Sequence, residues 1–191
     1  MQRCAQARLV NTGLPVKHLQ AKPSTKGEWG DKLIMLTNRL NTGGMMFALI
    51  GQRGTGKTQM AAELIRHAVE HEGMECQYRR VMDFFMDIKD TYRDFTNRTE
   101  AEVVTSYVKP QLLVLDEVHE RGDSPWENRL LTHALDKRYG ASKDTLLISN
   151  QKPETFGDTI GNSILSRLQE TGAIISCEWP SFRAAKNKGE S

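Results

Sequence analysis

The chain has 191 residues, a formal net charge of +2 and 38% hydrophobic residues, which suits one domain with a sizeable core rather than two. So small a net charge gives no global field toward nucleic acid or a membrane surface, and any such contact must come from a local patch. No apolar run approaches the roughly 20 residues of a membrane span, and the N-terminus lacks the apolar core of a signal peptide.

Residues 1–27 read as an irregular arm, broken by Gly13, Pro15, Pro23 and Gly27. The pattern predicts a helix from Glu28 to Leu40, stopped by Asn41-Thr42-Gly43-Gly44. Met45–Ile50 is an apolar run of buried-strand type, followed by a glycine-rich loop at 51–58 and a helix over 57–71 whose Met60, Ala61, Leu64, Ile65 and Ala68 recur at helical spacing. A strand at Glu75–Arg80 leads to a helix near Met82–Phe95. Thr99 to Glu102 forms a capping box for a short helix to Val108, and Gln111–Leu115 is the third strand. Ser124-Pro125-Trp126-Glu127 is a second capping box, with proline at the first helical position, opening a helix to Tyr139 that Gly140 closes. Thr145–Ser149 is the fourth strand, 160–169 is helical, Ala173–Cys177 is the fifth strand, and the polar tail 184–191 reads as disordered. Strands that are apolar throughout imply a parallel sheet covered on both faces.

Gly51-Gln52-Arg53-Gly54-Thr55-Gly56-Lys57-Thr58 spells GxxxxGK[ST], the phosphate-cradling loop. Its glycines allow a tight turn that points backbone N–H groups inward, where a Cβ would obstruct phosphates. Lys57 reaches the β- and γ-phosphates as a point charge, the Thr58 hydroxyl is suited to Mg²⁺, and the following helix aims its positive end at the same anion. The sequence therefore predicts that ATP and Mg²⁺ are bound here.

Leu112-Leu113-Val114-Leu115-Asp116-Glu117 delivers two acids to the end of a buried strand, the edge where ligands bind in open α/β sheets. Asp116 is placed for the Mg²⁺ shell and Glu117 to polarise an attacking water, which favours hydrolysis over transfer to an acceptor. Asn150 ends the next apolar strand and reads either as a contact to that water or the γ-phosphate or as an ordinary strand-ending turn residue. Arg167, in the apolar segment Ile164-Leu165-Ser166-Arg167-Leu168, reads equally as a transition-state arginine or as a surface ion pair.

Together these motifs resemble the AAA+ ATPase domain of the DnaC/IstB group of replicative helicase loaders. The resemblance covers 28–183 and includes Lys89-Asp90-Thr91-Tyr92-Arg93, Ser149-Asn150, Ser166-Arg167-Leu168 and Ser181-Phe182-Arg183. It implies an α/β three-layer sandwich around a five-stranded parallel sheet of order 5-1-4-3-2. It also implies ATP sites completed by self-association, Asn150 as sensor, Arg167 as a finger reaching a neighbour's γ-phosphate, and Arg183 as a second nucleotide-sensing arginine. Loaders of this group carry a helicase-binding domain ahead of the ATPase. Here some forty residues precede the first strand and about a dozen follow Cys177, so neither that domain nor a C-terminal helical lid is expected.

Single-stranded DNA is the expected nucleic-acid partner, through Arg79, Arg80, Lys89 and Arg93, with Arg98 adding charge and Tyr78 and Tyr92 as stacking surfaces. Asp83, Asp87, Asp90 and Asp94 form an opposing acidic stripe, and the same helix reads equally as a solvated one with Tyr92 in its buried stripe. The function this favours is a cytoplasmic ATPase that loads or remodels a replicative helicase on single-stranded DNA. The alternatives are an IstB-like transposition accessory or a nucleotide-gated adaptor with negligible turnover. Cys4, Cys76 and Cys177 are three scattered cysteines without metal-ligand spacing, and read as reduced structural thiols.

Overall fold

The computed structural model of the chain describes residues 2–21, 23, 26–93, 97–122 and 124–182. Its centre is a five-stranded sheet of β1 (Met46–Ile50), β2 (Cys76–Arg80), β3 (Leu112–Asp116), β4 (Asp144–Ile148) and β5 (Ala173–Ser176). Every pairing is parallel, and the order β2-β3-β4-β1-β5 is the one the resemblance implies. All residues of the three inner strands are buried, which is why those strands read as continuous apolar runs. Alternation survives in which layer each side chain enters. Phe47 and Leu49 face one layer; Met46, Ala48 and Ile50 face the other.

The first layer contains α1 (Gln2–Val10), α3 (Gly27–Arg39) and α4 (Lys57–Glu70), with Leu36, Met60, Leu64 and Ile65 at its centre. The second is built from α5 (Val81–Asp90), α6 (Glu100–Val108), α7 (Pro125–Gly140), α8 (Pro153–Ile160) and α9 (Asn162–Thr171), around Phe84, Phe85, Tyr107, Leu131 and Phe156. Both predicted capping boxes form, at Thr99 with Glu102 and at Ser124 with Glu127. Among the described residues no helix is long and apolar enough to cross a membrane.

Three predicted elements differ. The arm is not irregular: it contains α1 and α2 (Val16–Gln20), which pack along α4. Among its described residues only Leu9 and Leu14 are buried apolar side chains, with Ala5 and Leu19 partly buried, too few to write a helical period into the sequence. Thr12 O accepts the Tyr78 N–H at 2.7 Å, so the arm also covers the outer edge of β2. The helix after β2 stops at Asp90, where Thr91 and Tyr92 turn back on Ile88 and Lys89; Phe95 lies outside the described residues. Finally, the helical stretch placed at 160–169 is α9, which starts after Gly161 at φ 84°, and α8 before it has no counterpart in the sequence prediction.

The entry ends of the inner strands are pinned by a buried arginine that the sequence does not distinguish. Arg138 donates from Nε to Thr145 Oγ1 (2.9 Å), from Nη1 to the carbonyls of Tyr107 and Pro110 (both 2.9 Å), and from Nη2 to the Asp144 carbonyl. Burial pulls its guanidinium down to about 9 against the opposing pull of Asp144, so it stays charged at neutral pH. The Asp144 carboxylate in turn accepts the N–H groups of Asn41 (2.8 Å) and Met45 (2.9 Å). With that end tied off, the opposite tips of β1 to β4 are the ones left open to a ligand.

Candidate nucleotide site

The phosphate loop leaves the tip of β1 and enters the first turn of α4. Glycine is required at 51, where φ is 130° and an added Cβ would come within 2.7 Å of the Cys177 carbonyl oxygen. Lys57 is buried, and its Nζ arches over the loop to donate to the carbonyls of Gly51 (2.6 Å) and Gln52 (2.8 Å). Thr55 Oγ1 closes the same turn on the Gln52 carbonyl at 3.0 Å. Gly56 precedes α4 in a left-handed conformation, so the first-turn N–H groups of the helix have no capping side chain and open into the cleft.

Asp116 meets this loop from β3. Its Oδ2 accepts from the Thr58 hydroxyl at 2.9 Å and from the Tyr78 hydroxyl at 2.7 Å, while Oδ1 accepts the Glu117 N–H at 2.7 Å. Burial, and then the neighbouring Asp116 charge, push the Tyr78 phenol well above its ordinary range, so it remains a donor at any working pH. The paired hydroxyl and carboxylate oxygens of Thr58 and Asp116 fit Mg²⁺, which takes hard oxygen ligands and completes its shell with water and phosphate. Among the described residues no group of three acidic, histidine or cysteine side chains could hold a metal without such help.

Glu117 has φ 57°, a left-handed backbone that a non-glycine residue adopts at a cost. The turn it makes is fixed by Val118 N–H donating to Ile148 O at 3.0 Å and Glu120 N–H to Glu117 O at 2.8 Å. Its carboxylate faces Arg80, with Nε to Oε2 at 3.4 Å. On the next strand tip, the Asn150 N–H donates to His119 Nδ1 at 3.3 Å, which joins the acid-pair turn to the Asn150 turn. Burial holds the His119 imidazole below its ordinary range, and so in the neutral form that this bond needs.

Lys57, Thr58, Tyr78, Arg80, Asp116, Glu117 and Asn150 thus line one cleft of about 810 Å³ with Arg53, Gly54 and Gly56. Its other wall is the N-terminal arm, through Pro15, Lys17, His18, Ala21 and Pro23, together with Trp29 and Phe182. The arm is tied to α4 by His18 Nδ1 and Gln59 Oε1 at 2.8 Å and by Arg66 donating to the Leu19 carbonyl at 2.8 Å.

Residues 43–191 match the family described as IstB-like ATP binding protein. The chain belongs to that family. It is 24% identical over 139 residues to the replicative helicase loader DnaC of Escherichia coli K12, covering 72% of this chain and 56% of the loader. It is 27% identical over 148 residues to an ATP-binding protein in an insertion sequence of Mycobacterium tuberculosis, covering 75% of this chain and 57% of that protein. The chain therefore spans little more than half the length of the curated relatives it matches. Its fold resembles that of the replication initiator DnaA bound to AMPPCP and single-stranded DNA, with a TM-score of 0.69 at 20% identity over 92% of this chain and 55% of the other. The architecture is the AAA+ phosphate-loop fold.

Several predicted residues of this IstB-like chain lie away from the cleft. Arg167 sits on the α7–α9 surface, where it pairs with Asp136 at 3.1 Å, donates to Ser163 Oγ at 2.7 Å and lies 5.3 Å from the Tyr139 ring centroid. Arg183 lies outside the described residues. The four arginines and lysines expected to hold DNA do not form one patch. Arg79 folds back on the Tyr78 carbonyl (2.9 Å) beside Gly13, and Arg80 faces Glu117. Lys89 and Arg93 stand at the far end of α5, about 14 Å along the helix. There Lys89 lies over the Trp126 ring at 5.7 Å and Arg93 pairs with Asp90 at 3.2 Å. Tyr78 is buried and cannot stack on a base, whereas Tyr92 is exposed rather than part of the core. The sequence reading missed Tyr78 as a partner of Asp116, Arg80 as a partner of Glu117, and His119. The sheet order held the signal, because β2 beside β3 pairs Arg80 with Asp116 in register.

Proposed function

We propose that this chain binds ATP with Mg²⁺ in the cleft, hydrolyses it, and couples that cycle to a replicative DNA helicase on single-stranded DNA in the cytoplasm. One observation carries the ATPase reading: the Thr58 hydroxyl lies 2.9 Å from Asp116 Oδ2 in a cleft that also holds Lys57, Glu117 and Asn150. The triphosphate lies along Gly51–Thr58, Lys57 neutralises its β- and γ-oxygens, and the apolar arm residues Pro15, Ala21 and Pro23 receive the base. Thr58 and Asp116 would hold Mg²⁺, which would supply charge neutralisation to the phosphates. Glu117 accepts a hydrogen bond from the attacking water and polarises it, while Asn150 orients that water from the adjacent strand tip. Arg167 acts in trans on a neighbouring protomer's γ-phosphate once subunits associate, exchanging Asp136 for phosphate, and Arg183 contacts nucleotide from the C-terminal side.

The partner assignment is supported by the helicase-loader relatives and by the exposed Lys89 and Tyr92 beside Trp126, with the exposed Arg93 just beyond α5, a combination of charge and rings suited to a flexible strand. The test is steady-state ATP hydrolysis alone, with single-stranded oligonucleotide, and with a replicative helicase. Stimulation by both is expected. ATP binding without turnover under every condition would leave only the adaptor function. The insertion-sequence relative favours a second reading, a transposition accessory of IstB type. Stimulation by double-stranded DNA and transposase, with none from helicase, would select it.

A further inference from the structure

Three consecutive carbonyls of the phosphate loop are held from outside the loop. Gly54 O accepts the Phe182 backbone N–H at 3.0 Å, Thr55 O accepts the Trp179 indole N–H at 2.7 Å, and Gly56 O accepts the Trp29 indole N–H at 3.3 Å beside the Met60 N–H of α4 at 2.8 Å. The donors come from α3 and from the segment after β5, which is itself tied to β1 by Cys177 N–H donating to Ile50 O at 2.7 Å. The fit is close, since a Cβ added at Gly56 would lie 3.0 Å from both Trp29 Nε1 and Phe182 Cε2.

In a planar trans peptide the C=O and the following N–H point in opposite directions. Holding the carbonyls of Gly54, Thr55 and Gly56 outward therefore aims the N–H groups of Thr55, Gly56 and Lys57 the other way. Indole suits this task because its N–H is a donor only, on a body large enough to reach the loop from another element. It brings no acceptor that could compete for the loop's own N–H groups.

We propose that Trp179 and Trp29 are positioning residues that preset the phosphate loop for anion binding. This rests on the ATP reading above. Without these donors the loop would hold its binding-competent geometry for a smaller fraction of the time, and apparent affinity would fall by that fraction.

Trp179→Phe keeps an aromatic ring and removes the donor. Dissociation constants for ATP, inorganic triphosphate and adenosine would be measured calorimetrically for this variant and for Trp29→Phe, beside thermal unfolding. ATP and triphosphate should weaken about threefold to tenfold, the worth of one hydrogen bond, with adenosine unchanged for Trp179→Phe. Unchanged ATP affinity in both variants overturns the proposal, as does an equal loss for adenosine. Because Trp29 is buried and its variant risks misfolding, hydrogen exchange of the Thr55–Lys57 amides without nucleotide gives a second test on the half-buried Trp179. Faster exchange in Trp179→Phe than in wild type is expected, and equal exchange refutes the clamp. A wild-type protein that fails to bind ATP would sink the functional reading, while the exchange result would still judge the clamp on its own.

Discussion

Arg80 and Glu117 face each other across the tips of adjacent strands, the guanidinium Nε 3.4 Å from the carboxylate Oε2. The parallel pairing of β2 with β3 sets Arg80 beside Asp116, and the left-handed turn at Glu117 swings the next carboxylate back toward the arginine. The ion pair occupies one oxygen of the Glu117 carboxylate and turns it toward the arginine. Both side chains are partly exposed, so the pair contributes less than about 1 kcal/mol to stability. Its consequence is kinetic.

Replacing Glu117 with Gln retains the shape and removes the base. ATP should bind as before while turnover falls about a hundredfold or more. Arg80→Ala should act in the opposite sense and raise turnover a few-fold in the absence of DNA, since the freed carboxylate can turn toward the attacking water. Lys89→Ala and Arg93→Ala, at the far end of α5, should leave DNA-free turnover unchanged. A phosphate-release assay on the four variants checks the set, and equal rates for Arg80→Ala and wild type would remove the ion pair from the mechanism.

Tyr78→Phe removes one of two hydroxyl donors to Asp116 Oδ2 from a buried position. A hydrogen bond to a charged group contributes about 1.5–3 kcal/mol, so the variant should unfold at lower denaturant. The Mg²⁺ concentration for half-maximal ATP binding should rise as well, because Asp116 is less firmly oriented. Urea titration and a Mg²⁺ titration of nucleotide binding separate the two effects.

His119 predicts an acid-side loss. Its folded-state pKa lies below the ordinary 6.5, because burial outweighs the raising influence of Glu120, Glu117 and Asp116, while Arg53 adds to the lowering. As pH falls below 6.5 the unfolded chain therefore takes up the proton first, so stability present above 6.5 is lost toward the folded-state value. Protonation would also set an N–H against the Asn150 N–H. Wild-type turnover should drop in that window, whereas His119→Asn, which keeps an acceptor without titrating, should show a flatter acid limb. pH–rate profiles of the two proteins decide this.

Assembly is tested by mixing. If Arg167 serves a neighbouring site, Arg167→Ala and Lys57→Ala proteins should each be inactive alone. Mixed, they should recover a fraction of activity at interfaces holding one intact lysine and one intact arginine. Absence of recovery, with a monomer in sedimentation under every ligand condition, would leave Arg167 as the α7–α9 ion pair with Asp136.

Arg138→Met should be the most damaging single change outside the cleft. It strips donors from the Tyr107, Pro110 and Asp144 carbonyls and from Thr145 Oγ1 in a fully buried site. Several unsatisfied acceptors at about 1–3 kcal/mol each approach the whole stability of a domain this size. Loss of soluble, cooperatively unfolding protein is the expected outcome, measured by circular dichroism during thermal melting.

The sequence by itself determined the phosphate loop, the acid pair, the sheet with its inner strands, and both capping boxes. Each of these is written locally, as a fixed spacing, an apolar run of strand length, or a cap three residues from its partner. Only the tertiary structure decided that the arm is helical and walls the cleft, because two buried leucines leave no periodic signature. Only it decided that Tyr78 and Arg80 reach Asp116 and Glu117, that Arg138 ties the strand ends, and that Trp29 and Trp179 grip the loop. The contacts of Trp29, Tyr78, Arg80 and Trp179 join residues 27 to 124 positions apart, through single donors and acceptors. Local sequence specifies backbone periodicity; which distant side chain satisfies a buried carboxylate or carbonyl is settled by the packing that brings them within hydrogen-bond reach.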